Sequence, residues 1–225
     1  MHYGAIEPGA RGGERMGSRH DHGSGAPATG GRSPLLRDDF RYIERPALEA
    51  VTAEEWELLG RQRNAYLAER RADQVLRMFE TLRDQPSFGY EINMFRHGLQ
   101  AASLMLRDGH DEETVVVALL HDFAYDFCVE THGEAAAKLL GPFCSERNEF
   151  LLRAHQDFLT VHCPHHHACD PMERERWRGH PHFEWVAQFV ERYDQTTITA
   201  GTPELPLEAF RPLVHRFFAA PVTRR

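Results

Sequence analysis

An all-helical fold is what this sequence predicts, and three observations predict it. Apolar residues recur at a spacing of three and four in successive stretches, the pattern of one buried helix face. No stretch alternates apolar and polar residues with the period of two that a strand needs. The helical stretches are punctuated by start and stop residues, among them Thr52, Asp111 and Ser145 at starts and Pro86, Gly109 and Gly141-Pro142 at stops.

The first 35 residues hold 9 of the 17 glycines, with Ser, Pro, Arg and scattered His. Such a segment has too little apolar surface to offset its ordering entropy, so it reads as a disordered leader in which His20 and His22 are solvated. A single helical domain is expected over 36–225. Its first helix starts at Thr52, where Glu54 and Glu55 place negative charge in the first turn. It runs through Trp56, Leu59, Tyr66, Leu67 and Val75 towards Leu82 and stops at Asp84-Gln85-Pro86. Asn93 to Arg107 forms the next, with Phe95, Leu99, Ala102 and Leu106 apolar. Asp108-Gly109-His110 turns the chain, and Asp111 caps a helix from Glu112 to about Phe123. A short helix, Glu134 to Leu140, ends at Gly141-Pro142. Glu146 to about Thr160 follows, then a loop from Cys163 to Pro171. The last two helices are Pro181 to Tyr193 and Leu207 to Phe218.

Composition narrows the function. Hydrophobic residues make up 41% and charged residues 27%, ordinary for a globular chain. The net charge of −8 and the lack of a basic stripe argue against a nucleic-acid partner. No apolar run is long enough to span a bilayer, and no secretory signal is visible, so no membrane partner is expected and the cytoplasm is the expected compartment. Cys128, Cys144, Cys163 and Cys169 then read as free thiols. With 15 histidines in the chain, one histidine is weak evidence and only a patterned set counts.

Such a set exists. His121-Asp122 ends the apolar run Val115 to Leu120, where a histidine and a carboxylate are costly unless partnered. His97, His132, His155 and Asp194 each lie at the edge of an apolar helix face. Nitrogen and carboxylate ligands without thiolates suit Fe, Mn or Zn, and a bridging carboxylate can hold two ions.

In order, His97, His121-Asp122, His132, His155 and Asp194 resemble the H…HD…H…H…D signature of the HD-domain superfamily, over about Ser87 to Ala220. Within it, His97-Gly98-Leu99-Gln100-Ala101-Ala102, His132-Gly133-Glu134-Ala135-Ala136-Ala137 and Tyr193-Asp194-Gln195 are similar to a bacterial branch related to the aminohydroxyethylphosphonate dioxygenase. Members are often labelled phosphohydrolases. The dioxygenase, like the myo-inositol oxygenase, is a mixed-valence diiron enzyme. The resemblance implies an HD-domain helical bundle with two iron ions (Fe2+/Fe3+), or alternatively Mn2+ or Zn2+. Asp122 would bridge the ions; His97, His121 and Asp194 would complete one shell, and His132 and His155 the other. The implied activity is a diiron oxygenase that uses O2 to oxidise or cleave a small hydroxylated substrate at the carbon bearing a metal-bound hydroxyl, with His121 and Asp122 at the catalytic centre. The alternative is a dinuclear phosphohydrolase, for which Arg96, Arg153, Arg178 and Arg192 are the candidate phosphate-binding cations. The dioxygenase has a lysine one turn after the fourth histidine; here that turn is Gln156-Asp157-Phe158-Leu159, so a phosphonate has no anchor and a different substrate is expected.

Tyr90, Gln100, Tyr125, His162 and His180 are the candidate substrate-binding residues, with Asp126 also near the expected pocket mouth. The run His162 to Cys169 has ligands that suit a separate zinc, but Cys-x5-Cys is not a usual zinc spacing, and a polar loop is the simpler reading.

Overall fold

The computed structural model describes residues 37–219; the leader lies outside them. The chain divides into two compact units, the boundary falling between Ala65 and Tyr66. In the first, Arg41 and Gln62 exchange hydrogen bonds of 2.7 and 3.0 Å, and Arg45 pairs with Glu55. Helix α1 (Ala53–Glu80) opens on a reciprocal cap, because the Thr52 hydroxyl accepts from the Glu55 amide while the Glu55 carboxylate accepts from the Thr52 amide.

The second unit is all helical in its regular structure. It holds the end of α1, then α2 (Met94–Arg107), α3 (Glu112–Leu120), α4 (His132–Leu140), α5 (Glu146–Leu159), α6 (Phe183–Phe189) and α7 (Leu207–Ala219), and no strand occurs among the described residues. Side-chain caps start α2 and α3: Asn93 accepts from the Arg96 amide and Asp111 from the Thr114 amide. Asn93 also donates to the carbonyls of Leu82, Arg83 and Gln85, which fixes the chain between α1 and α2. Helix α2 packs on α3, α4 on α5, α5 on α6 and α3 on α7. Helix α3 lies at the centre, every residue from Thr114 to Leu120 buried. No helix among the described residues is long and apolar enough to cross a membrane.

Three differences from the sequence reading bear on the site. Helix α3 stops at Leu120 rather than Phe123, because Phe123 and Tyr125 take i−3 hydrogen bonds and the chain tightens into turns just past His121. Helix α4 starts two residues earlier than predicted, with His132 in its first turn. The predicted 181–193 helix is α6 followed by a π-helical turn, Val190–Asp194. Single π-turns are frequent at functional sites, and this one ends on Asp194. Ser145 precedes α5 without capping it by its side chain; its hydroxyl donates instead to Glu113.

Candidate metal centre

The six residues singled out by pattern meet in the second unit. Helix α2 supplies His97, the end of α3 supplies His121 and Asp122, α4 supplies His132, α5 supplies His155 and the π-turn supplies Asp194. They form two groups that could hold a metal ion, His97 with His121, Asp122 and Asp194, and Asp122 with His132 and His155.

The first group has His97 Nε2 3.1 Å from His121 Nε2, with Asp194 Oδ1 at 3.5 and 3.7 Å from these nitrogens and Asp122 Oδ2 at 3.6 and 3.7 Å. In the second, His132 Nε2 lies 3.1 Å from His155 Nε2, and Asp122 Oδ1 is 3.1 and 3.0 Å from them. Asp122 therefore turns one oxygen to each histidine pair. Five of the six side chains are at most 5% exposed, and Asp122 is the most open at 14%.

A cation fits these atoms for a specific reason. Each histidine points Nδ1 at a backbone carbonyl: His97 at Thr197 (2.9 Å), His121 at Ala118 (2.8 Å), His132 at Val129 (2.6 Å) and His155 at Leu152 (2.9 Å). A carbonyl only accepts, so Nδ1 carries a proton and Nε2 is the atom turned inward, the orientation of a ligating histidine. With Nε2 unprotonated, lone pairs would face lone pairs at 3.1 Å beside carboxylate oxygens, a crowding that a bound cation or a shared proton relieves. Ligands about 2.1 Å from one ion stand roughly 3.0–3.4 Å apart, close to the spacings seen. Asp194 Oδ2 is buried with no hydrogen-bond partner. The same crowding moves the titrations. Burial pushes His121 down, but Asp122 and Asp194 outweigh it and raise it to about 9. Burial raises Asp122, yet His121 and His132 hold it well below the carboxylate range. Asp194 is likewise lowered, against its burial, by its contact with His121.

Two glycines bring the helices close enough. A Cβ on Gly98 would stand 2.4 Å from the Leu119 carbonyl oxygen, and one on Gly133 2.7 Å from that of Leu152. Each glycine directly follows a ligand candidate, His97 or His132, and each lies where its helix meets the one carrying the partner histidine.

The candidate substrate residues scatter. The Tyr125 ring stands edge-on to His132 at 5.2 Å, and its amide donates to the Asp122 carbonyl. Gln100 is fully buried; its amide donates to the Thr199 carbonyl and to Glu204, while its Oε1 has no partner. Tyr90 is 58% exposed in the loop before α2. His180 stacks on Phe150 and accepts from the His182 amide. His162 ends a 3-10 turn after α5, half-buried. Asp126 has a buried, unpartnered Oδ1, and burial, then the charge of Asp122, raises its carboxyl. Two consecutive turns fold the 163–169 loop, but among the described residues no third ligand joins Cys163 and Cys169. A cleft of about 460 Å3 opens at the start of α2, lined by Arg83, Glu91, Arg96 and Glu204 among others, and none of the six residues lines it. Sequence reasoning missed Gly98 and Gly133 as contact points and Thr197 as a partner of His97. The His-Gly pairs were visible in the sequence; Thr197 carries no local signal.

Comparison of the chain with known protein families and with curated proteins finds no match.

Proposed function

We propose that the chain is an HD-domain diiron oxygenase acting on a small hydroxylated substrate. The observation that carries the dinuclear part is Asp122, whose two oxygens face two separate histidine pairs with every Nδ1 already committed to a carbonyl. His97, His121, Asp122 and Asp194 would hold one ion, and Asp122, His132 and His155 the other. When bound, two iron ions supply O2 activation and an open position for a substrate hydroxyl.

The chain's own residues do the rest. The carbonyl-locked imidazoles fix the ligand directions before any ion arrives. The four histidines are buried, and Asp122 is the most exposed of the six residues. Asp126, whose carboxyl is raised by burial and then by the charge of Asp122, has a buried Oδ1 without a partner.

The choice of oxygen over water as co-substrate rests on the resemblance, and the arginines bear on the phosphohydrolase alternative. A phosphohydrolase needs cations free to meet phosphate charge. Arg96 is paired with Glu204, Arg153 with Glu134 and Glu149, Arg178 with Glu175, and Arg192 with Asp108. Each of the four sits in a partly exposed ion pair.

The test is metal content and redox state. Protein loaded with Fe2+ should bind two ions per chain, give a mixed-valence EPR signal on partial oxidation, and change that signal on adding a polyol or amino alcohol. Asp122→Asn should abolish the signal. Phosphomonoester hydrolysis with Mn2+, without any iron signal or O2 uptake, would sink the oxygenase reading.

A further inference from the structure

Three of the four histidines are locked from within their own segment, each by the carbonyl three residues back: His121 by Ala118, His132 by Val129 and His155 by Leu152. His97 is different. Its Nδ1 meets Thr197, a residue with no exposed surface that lies a hundred positions further on.

Thr197 meets both ligand-bearing segments, through its backbone and through its hydroxyl. Its carbonyl is 2.9 Å from His97 Nδ1 and its hydroxyl 3.1 Å from the same atom. The hydroxyl also stands 2.8 Å from the Tyr193 carbonyl and 2.8 Å from the Asp194 carbonyl, and the Thr197 amide donates to Asp194 at 3.1 Å. A hydroxyl has one hydrogen and two lone pairs. Its hydrogen is therefore shared between the two carbonyls that end the π-turn, and a lone pair is left facing the imidazole N–H. One buried residue thus grips the ligand of α2 and the backbone that aims the ligand of the π-turn. The segment after it is strapped to the same helix, by Gln100 on the Thr199 carbonyl and by Ser103 on the Leu205 amide.

We propose that Thr197 is a positioning residue that couples His97 to Asp194 and makes the two halves of the centre unequal. The half built from His132 and His155 is held by local carbonyls and forms without it. The half built from His97 and Asp194 depends on a contact between distant parts of the chain. This rests on the reading that the six residues hold two ions.

The test uses the full chain, stripped of metal and titrated with Zn2+ against a chromophoric chelator, with bound zinc counted by atomic emission. Wild type should bind two ions. Thr197→Val keeps the shape and the backbone carbonyl on His97 and removes the hydroxyl that ties it to the π-turn; it should retain one ion at wild-type affinity and bind the other about 10-fold more weakly, the low end of the scale for loss of a group behind a ligand. Thr197→Ser keeps the hydroxyl and should restore both. Should the valine variant fail to fold, Thr197→Ala, which adds no methyl against the two carbonyls, is read in the same way. Two ions at wild-type affinity in the hydroxyl-free variant overturn the inference and leave the metal reading standing, as does equal weakening of both ions. A wild-type chain that binds no zinc overturns the metal reading itself.

Discussion

At the scale of single residues, the centre is a problem in proton accounting. Four imidazoles each spend Nδ1–H on a carbonyl and turn Nε2 towards two carboxylates, so without a metal the remaining positive charge must come from protons. His121, raised to about 9 by Asp122 and Asp194 against its own burial, is where such a proton is held. A group whose folded pKa is raised stabilises the fold in full below its unfolded value, about 6.5, and that contribution disappears as pH climbs through the folded value. Metal-free protein should therefore have a lower urea midpoint at pH 10 than at pH 7. Saturating Zn2+ replaces the proton, so it should flatten this loss. A metal-free midpoint unchanged between pH 7 and 10 would show that His121 does not carry the proton.

At the scale of elements, the site is two helix pairs in close approach, α2 against α3 and α4 against α5, each closed at the glycine beside a histidine. The clashing atoms are backbone carbonyl oxygens, at 2.4 Å for Gly98 and 2.7 Å for Gly133, so no side-chain rotation relieves them. Alanine is the better helix former by about 1 kcal/mol, yet here overpacking should win. Gly98→Ala and Gly133→Ala are each expected to lose about 1–3 kcal/mol, and to weaken zinc binding as the Nε2 pairs separate. Gly60 in α1 has nothing within 4 Å of its Cβ position, so Gly60→Ala should stabilise by up to about 1 kcal/mol. Chemical denaturation of the three variants checks the ordering; a Gly98→Ala protein as stable as Gly60→Ala would contradict the close approach.

At the scale of the whole molecule, the ligands come from five separate segments spread from His97 to Asp194. An ion held by all of them binds the folded chain and has no comparable site in the unfolded one. Metal at a hundred times its dissociation constant then adds about 2.7 kcal/mol, which for a domain of this size raises the thermal midpoint by roughly 5–10 °C. Stripping the metal with a chelator and scanning with and without added Zn2+ measures this. Identical midpoints would mean that the six residues form a hydrogen-bonded polar core and nothing more.

The sequence by itself determined the helical class, most helix positions and the list of six residues. These are local statements: apolar spacing marks a buried face, and a histidine or carboxylate at its edge is costly without a partner. Helix ends were less legible where side chains intervene, as at Leu120, where the chain tightens into turns, and at Val190–Asp194, where a π-turn ends on a carboxylate. Only the tertiary structure decided that Asp122 faces both histidine pairs, that Arg96, Arg153, Arg178 and Arg192 are each taken by a carboxylate, and that Tyr90 points into solvent. It alone picked Thr197 from a run of polar residues with no pattern. The physical reason is the same in each case. A side chain's cost is set by its own segment, but its partner is set by whichever distant segment the fold brings within 3 Å.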